Sequence, residues 1–331
     1  MFNIKSETKI YVVCPAYNKT GGTELAHQLV HELNKQGAHA FITYYGNENP
    51  KLNPAFQIYT TDYKTIDEIE DSQYNLLIAP EINQKIINHF THIQKSVWWM
   101  SVDNFEKRNG FMGYYKHFGF LRACKNVITG NISLFKSSLN TDIVHFYQSE
   151  YAHQYLLKAG VTKTAQLSDF INKSFFDIDT NPKNKKPQVL YNPKKGLEFT
   201  KKLINSAPDL TWIPIENLTT EGVKNLLCES MVYIDFGNHP GKDRFPREAA
   251  ICGCCIITGK RGSAKYFEDI PISDYYKFDE DESLIPQIID KIRFCLTNFE
   301  EESLNFKEYK DFIKNEYAIF VQDVKEIISN E

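Results

Sequence analysis

No run in the sequence approaches the roughly 20 consecutive apolar residues of a membrane-spanning helix. The opening, MFNIKSETK, is polar and has none of the apolar core of a signal peptide, so a soluble cytosolic protein is expected, with a seat on a membrane surface left open. Cysteine is sparse. Seven residues, an odd number without regular spacing, exclude a disulfide framework and fit a reducing compartment. Cys252, Cys254 and Cys255 lie close together but lack the second close pair of a zinc site, and strand alternation sends Cys254 and Cys255 to opposite faces. They read as small buried fillers. Neither GxGxxG nor GxxxxGK[ST] occurs, and no Asp-x-Asp pair stands at a suitable strand end, so no metal is expected. The net charge of −4 lacks the cationic footprint of a nucleic-acid binder, and no nucleic-acid partner is expected.

What is present is enough for two cores. A chain of 331 residues exceeds the size at which one core stops growing, and 42% hydrophobic residues can fill two domains of about 150 residues each. Ile10 to Cys14 reads as a buried strand, Pro15 to Gly22 as a loop, Thr23 to Gln36 as an amphipathic helix closed by Gly37, and His39 to Tyr44 as a second strand. Such a unit crosses over right-handed in a parallel sheet. Asn75 to Ala79, Ser96 to Met100, Asn126 to Thr129 and Ile143 to Tyr147 read as further strands, with helices clearest over Ile82 to Phe90 and Tyr114 to Cys124. Asp179 to Pro187, DTNPKNKKP, is polar and proline-bounded and reads as a linker. A second alternation follows: strand Gln188 to Tyr191, helix Leu197 to Ser206, strand Leu210 to Pro214, helix Glu221 to Glu229, then strands at Val232 to Phe236, Cys254 to Thr258 and Tyr275 to Phe278. The chain reads as helical from Leu284. The expected class is α/β with doubly wound sheets, divided into residues 1–178, a linker at 179–187, residues 188–305 and a terminal helix at 306–331.

The chain is organised around Val232 to Lys265, VYIDFGNHPGKDRFPREAAICGCCIITGKRGSAK. A strand runs into a turn-rich loop carrying His239, Lys242, Asp243 and Arg244. A helix starting near Phe245 or Pro246 holds Arg247 and Glu248 in its first turns, and Gly253 stops it. After the next strand comes a second glycine loop with Gly262 and Ser263. Neighbouring strand-to-helix loops of this kind are where an open α/β sheet forms its ligand crevice. Amides and cations there suit a phosphate, and a carboxylate at the helix start suits a hydroxyl pair. An Arg247 to Asp243 surface ion pair would explain part of the group equally well.

Three other places carry candidate chemistry. Gly21 and Gly22 open the first helix, where their amides could face a phosphate or where a tight turn could simply need them. Lys194 and Lys195, in YNPKKG, could reach a diphosphate or form a solvated charge cluster. Trp98 and Trp99 precede Asp103, which suits either an aromatic sugar cleft with the acid as hydroxyl ligand or base, or core aromatics followed by a capping Asp. Any basic surface is expected near Lys183 to Lys202, since the tail is acidic at Glu300 to Glu302.

At these residues the chain resembles the glycosyltransferases of the two-Rossmann-domain class, the GT-B fold, and most of all the retaining group that includes many capsule, lipopolysaccharide and exopolysaccharide enzymes. The resemblance implies two Rossmann-like domains facing each other across a cleft, with the acceptor side first and the donor side second. Glu248, in PREAAICGCCIIT, matches the family's ribose-binding Glu. The family's earlier sugar-contacting Glu falls on Pro240, beside His239. Gly21 and Gly22 match the paired glycines that approach the donor phosphates or acceptor. Lys194 or Lys195 resembles the diphosphate-binding basic pair, with Lys242 and Arg244 as substitutes for the absent Arg. Leu167 to Ile171 resembles the segment passing the donor side.

The resemblance further implies a nucleotide-sugar as co-substrate with no other cofactor, a glycan or lipid-linked saccharide as acceptor, retaining metal-independent transfer, and a terminal helix that crosses back to the first domain. His239 would donate to the donor phosphate or a sugar hydroxyl, and Asp103 would be the base if the reaction inverted. A homodimer and a peripheral place at the inner face of the membrane stay open. So do two rivals, a hydrolysing nucleotide-sugar epimerase and a non-catalytic nucleotide- or sugar-binding subunit of a polysaccharide assembly.

Overall fold

The computed structural model describes residues 2–16, 19–46, 50–176, 178 and 180–329. Tyr17 and Asn18 of the first glycine loop and Asp179, the start of the expected linker, lie outside the described residues. The chain divides into two compact units, Met1–Asp169 with Ala318–Glu331, and Phe170–Tyr317.

In the first unit β1 (Lys9–Pro15) leads to α1 (Gly21–Lys35) and β2 (His39–Tyr45). Then come β3 (Tyr63–Thr65), β4 (Leu76–Pro80), β5 (Gln94–Trp99), α2 (Val102–Glu106), α3 (Gly110–Phe118) and α4 (Phe120–Ile128). The unit continues with β6 (Val144–Tyr147), α5 (Glu150–Lys158) and β7 (Thr164–Gln166). The seven strands are all parallel, in the order β3-β2-β1-β4-β5-β6-β7. Because the chain leaves β1 towards β2 on one side and returns to β4 on the other, the topological switch lies between β1 and β4. Residues 126–129, expected as a strand, end α4 instead. A stretch this short, with only Val127 and Ile128 apolar, cannot be told from a helix segment by periodicity. The helix expected over Tyr114 to Cys124 is cut in two by Gly119, whose φ of +86° breaks it.

The second unit holds β8 (Lys186–Tyr191), α6 (Leu197–Ser206), β9 (Thr211–Pro214), α7 (Thr220–Cys228), β10 (Ser230–Asp235), α8 (Arg244–Ile251), β11 (Cys255–Gly259) and β12 (Lys277–Phe278). Helices α9 (Ile285–Thr297), α10 (Phe299–Glu302) and α11 (Lys307–Ile328) complete the chain. Its five parallel strands run β12-β11-β10-β8-β9, which puts the switch between β8 and β10. The boundary falls before the expected linker because Ile171 and Phe175 are already buried in the second core. Within that linker Lys185 is buried, its ammonium donating to the carbonyls of Leu227 (3.2 Å) and Ser230 (2.8 Å). Helix α11 belongs to the second unit up to Tyr317 and to the first from Ala318, where Val321 and Asp323 accept hydrogen bonds from Gln36 and Ser168.

The loops leaving β8, β10 and β11 touch backbone to backbone. A Cβ on Gly196 (φ +53°) would sit 1.7 Å from the Phe236 carbonyl oxygen, and one on Gly237 (φ +126°) 2.6 Å from the Gly196 nitrogen. Gly196→Ala is therefore expected to destabilise the second unit by about 3 kcal/mol or more, through strain plus overlap. Gly160→Ala, also at positive φ but with nothing within 4 Å, should cost only about 1–2 kcal/mol. Urea titration of the two variants checks the difference.

Candidate functional site

The site is built where the second sheet's order reverses. Asp243 is the N-cap of α8, yet its side chain does not cap. It turns to Lys195, with which it forms an ion pair, and to His239, whose Nδ1 lies 2.9 Å from Asp243 Oδ2. On its other side His239 Nε2 is 3.7 Å from Asp235 Oδ1, and the ring is fully buried. Burial alone would lower the His239 pKa, but Asp235 and Asp243 outweigh it and the net shift is upward. For Asp243 burial works upward and is outweighed by His239 and Lys195, which hold the carboxyl below its ordinary range.

Asp235, His239 and Asp243 each offer a donor atom within 4.8 Å of the others, the one such group among the described residues. A divalent ion could use this set only by displacing the imidazole proton and the Lys195 ammonium that already balance the two carboxylates. An Asp-x-Asp pair, Asp279 and Asp281, does follow β12, contrary to expectation. Asp281 is exposed and caps Ser283 at 2.8 Å.

Arg247 departs most from its expected role. Its side chain is wholly buried, with Nη1 donating to both Glu316 oxygens at 3.0 Å, Nε to the Asp243 carbonyl and Nη2 to the Lys242 carbonyl. Lys242 pairs with the same carboxylate at 3.0 Å and lies over the Phe312 ring. Arg247 thus binds α8 to α11, and Lys242 binds the loop before α8 to the same helix. His239 and Ser263 are corrected likewise, since neither has surface for a ligand. The Ser263 hydroxyl donates to the Gly241 carbonyl at 2.7 Å and its amide to that of His239 at 2.9 Å. Gly262 (φ +61°) is needed because a Cβ there would fall 2.0 Å from the His239 oxygen. Of the expected set, Lys194 is exposed, and Arg244 and Glu248 are half-buried.

One residue here was not foreseen. Glu280, just past β12, accepts from the Gly237 amide at 2.7 Å and pairs with Arg261 at 2.8 Å. An acid two residues past the sheet's last short strand was the signal available.

In the first unit Gly21 and Gly22 are the first residues of α1, with Thr20 capping through its side chain. A Cβ on Gly22 would meet the Met100 side chain at 3.6 Å. Both tryptophans are core residues, which removes the aromatic cleft. Trp98 donates to the Leu167 carbonyl at 3.0 Å, and Trp99, on the opposite face, donates to His145 at 2.8 Å. Asp103 lies in the first turn of α2 and accepts from the Tyr151 hydroxyl at 2.8 Å. The acid at the switch point is Glu81, next after β4. It is buried, accepts from the Met100 amide at 3.2 Å and has its pKa pushed up to about 7, chiefly by desolvation. It lines a cavity of about 530 Å³ with Asn83, Arg108, Tyr114, Asn126 and Ser138, and Asp103 does not. An acid immediately after a fully apolar strand was its signal too.

No family profile matches the chain, and no curated protein matches it. Solved structures do. HepE of Anabaena in complex with UDP and glucose is 11% identical over 97% of this chain and 99% of its own, with a TM-score of 0.63. Sucrose-phosphate synthase of Thermosynechococcus elongatus is 10% identical over 97% and 98%, with a TM-score of 0.62. Phage T4 BGT in complex with its UDP-glucose substrate is 11% identical over 98% and 100%, with a TM-score of 0.55. At such identities the likeness establishes the fold, two Rossmann-like α/β domains of the GT-B type.

Two outcomes follow from these buried charges. Glu316→Ala should destabilise the second unit by about 3–5 kcal/mol, because it strands Arg247, and Glu316→Gln by less; denaturant titration measures both. The Glu81 carboxyl, raised in the folded state, contributes stability that is complete below pH 4.5 and lost as pH rises through 7. The loss is roughly 3 kcal/mol. Glu81→Gln should flatten that slope and exceed the wild type in stability at pH 8.

Proposed function

We propose that the chain is a glycosyltransferase that moves a sugar from a nucleotide-sugar to a glycan or lipid-linked acceptor in surface polysaccharide synthesis. In this reading it works on the cytoplasmic side, with retention and without a metal. The observation that carries it is the position of Glu248, half-buried in the second turn of α8, the helix that follows the β10 loop at the β8/β10 switch, where Gly196 and Gly237 bring two loop backbones together. The GT-B fold and the UDP and UDP-glucose held by HepE and T4 BGT support the same reading.

Glu248 orients the ribose by accepting from its hydroxyl pair, as carboxylates do for vicinal diols. Charge growing on the leaving diphosphate is met by Arg244, Lys194 and the amides at the start of α8. His239, Asp243 and Lys195 hold the loop that presents those amides, and so act by positioning. In the first unit Glu81, rather than Asp103, receives the acceptor hydroxyl. Were the reaction to invert, Glu81, its carboxyl pushed up to about 7, would be the base in place of Asp103.

Thermal shift against nucleoside diphosphates and nucleotide-sugars tests the reading. A ligand at about 100 times its Kd adds roughly 2.7 kcal/mol, a rise of a few degrees for a chain of this size. The rise should be selective for one nucleotide and absent in Glu248→Ala. No shift with any donor would overturn the proposal, and a shift kept in the variant would remove Glu248 from the site.

A further inference from the structure

We propose that the α3–α4 hairpin of the first unit docks on the surface of an anionic lipid bilayer. From Lys107 to Thr141 the sequence contains six lysines and arginines and no acidic residue, in a chain whose Asp and Glu outnumber Lys and Arg by 42 to 38. The gap coincides with a strongly apolar part of the surface. Among the described residues, seven of the fifteen exposed large hydrophobic side chains lie between Met112 and Phe135.

Helix α4 shows the inversion most clearly. At 100° per residue Phe120, Leu121, Cys124 and Ile128 share one arc, which in a surface helix of a soluble domain would face the core. Here the helix's one buried residue is Ala123, and Leu121 and Ile128 are 82% and 85% exposed. The apolar surface continues beyond the helix. The Phe120 ring meets Phe111 and Tyr115 edge-on, each at 6.1 Å, and the Phe111 amide reaches the Leu134 carbonyl at 3.4 Å, bringing exposed Leu134 and Phe135 alongside. Lys125 and Arg122 follow next around α4, and Lys116 stands at the end of α3, all exposed.

An apolar arc edged by cations matches the depth profile of a bilayer surface, with rings and aliphatic groups among the acyl chains and ammonium or guanidinium groups at lipid phosphates. The chain from Lys183 to Lys202, where a basic surface was expected, leaves Lys183, Lys194 and Lys201 exposed but has no exposed large hydrophobic side chain beside them. Lys185 is buried, and Lys186, Lys195 and Lys202 are paired with Glu229, Asp243 and Glu282. Among the described residues no helix is long and apolar enough to cross a membrane, so the contact is one of lying on the surface.

The inference uses nothing of the donor site. Full-length protein is sedimented with vesicles of phosphatidylcholine alone and with vesicles one-third phosphatidylglycerol. Binding should require phosphatidylglycerol and weaken at least about tenfold at high salt. Leu121→Ser with Ile128→Ser, and Arg122→Glu with Lys125→Glu, should each weaken it about tenfold or more. Because these side chains are exposed, melting temperature and any nucleotide-dependent shift should not change. No binding to either vesicle would overturn the inference, as would binding that ignores lipid charge and both variants. Self-association abolished by the Leu121 and Ile128 substitutions, without vesicle binding, would overturn it in favour of a second copy of the chain. A wild type that binds vesicles but shows no nucleotide shift would sink the donor reading alone.

Discussion

Backbone touches backbone at the carboxyl ends of β8, β10 and β11, and the second unit is arranged around that contact. Gly196, Gly237 and Gly262 all take positive φ, and at each a Cβ would overlap a main-chain atom of the neighbouring loop. Glycine alone satisfies both demands. The contact closes three loops into one surface of amides and carbonyls at the point where strand order reverses, and Ser263 fastens it with two hydrogen bonds to the His239–Gly241 segment. A site made this way owes its shape to missing side chains, so little can move without breaking it.

Beneath that surface lies an unusual amount of charge. Arg247, Lys242 and Glu316 join α8 and the loop before it to α11, and Asp235, His239, Asp243 and Lys195 underlie the β10 loop. Lys277 adds a buried ammonium donating to the Ile270 carbonyl at 2.8 Å, its pKa lowered to about 8 chiefly by burial. Desolvating such groups costs as much as their attraction returns. Their effect is to allow one register, since an alternative packing would leave a charge unpaired. Residues that look like ligand-binding cations in the sequence are thereby committed to the protein interior.

The first unit differs. Its switch point carries a buried acid, Glu81, beside a cavity it shares with Asn83, Arg108 and Ser138. Its hairpin beyond α2 turns apolar side chains outward. Both units are parallel α/β sheets with one switch point, yet they use opposite chemistry, ion pairs folded inward in one and exposed apolar surface in the other.

Much of this was legible in the residues. Apolar strands such as Ile10 to Cys14 and Val232 to Phe236, bounded by glycine, fix two parallel α/β sheets, because backbone geometry allows few alternatives to a strand, loop and helix so patterned. The same pattern marked the glycine loops and Glu248. It could not show which cations near Glu248 remain at the surface, because Arg247 and Lys242 are claimed by Glu316, far away in sequence. Nor could it place Trp98 and Trp99 in the core, reveal Glu81 and Glu280 at strand ends, or tell residues 126–129 of α4 from a strand. The sequence by itself determined the alternation of strands and helices and where loops must be glycine, since local sterics decide both. Which charges face solvent, and which side of α4 faces out, only the tertiary structure decided, because burial is set by partners that the order of residues does not name.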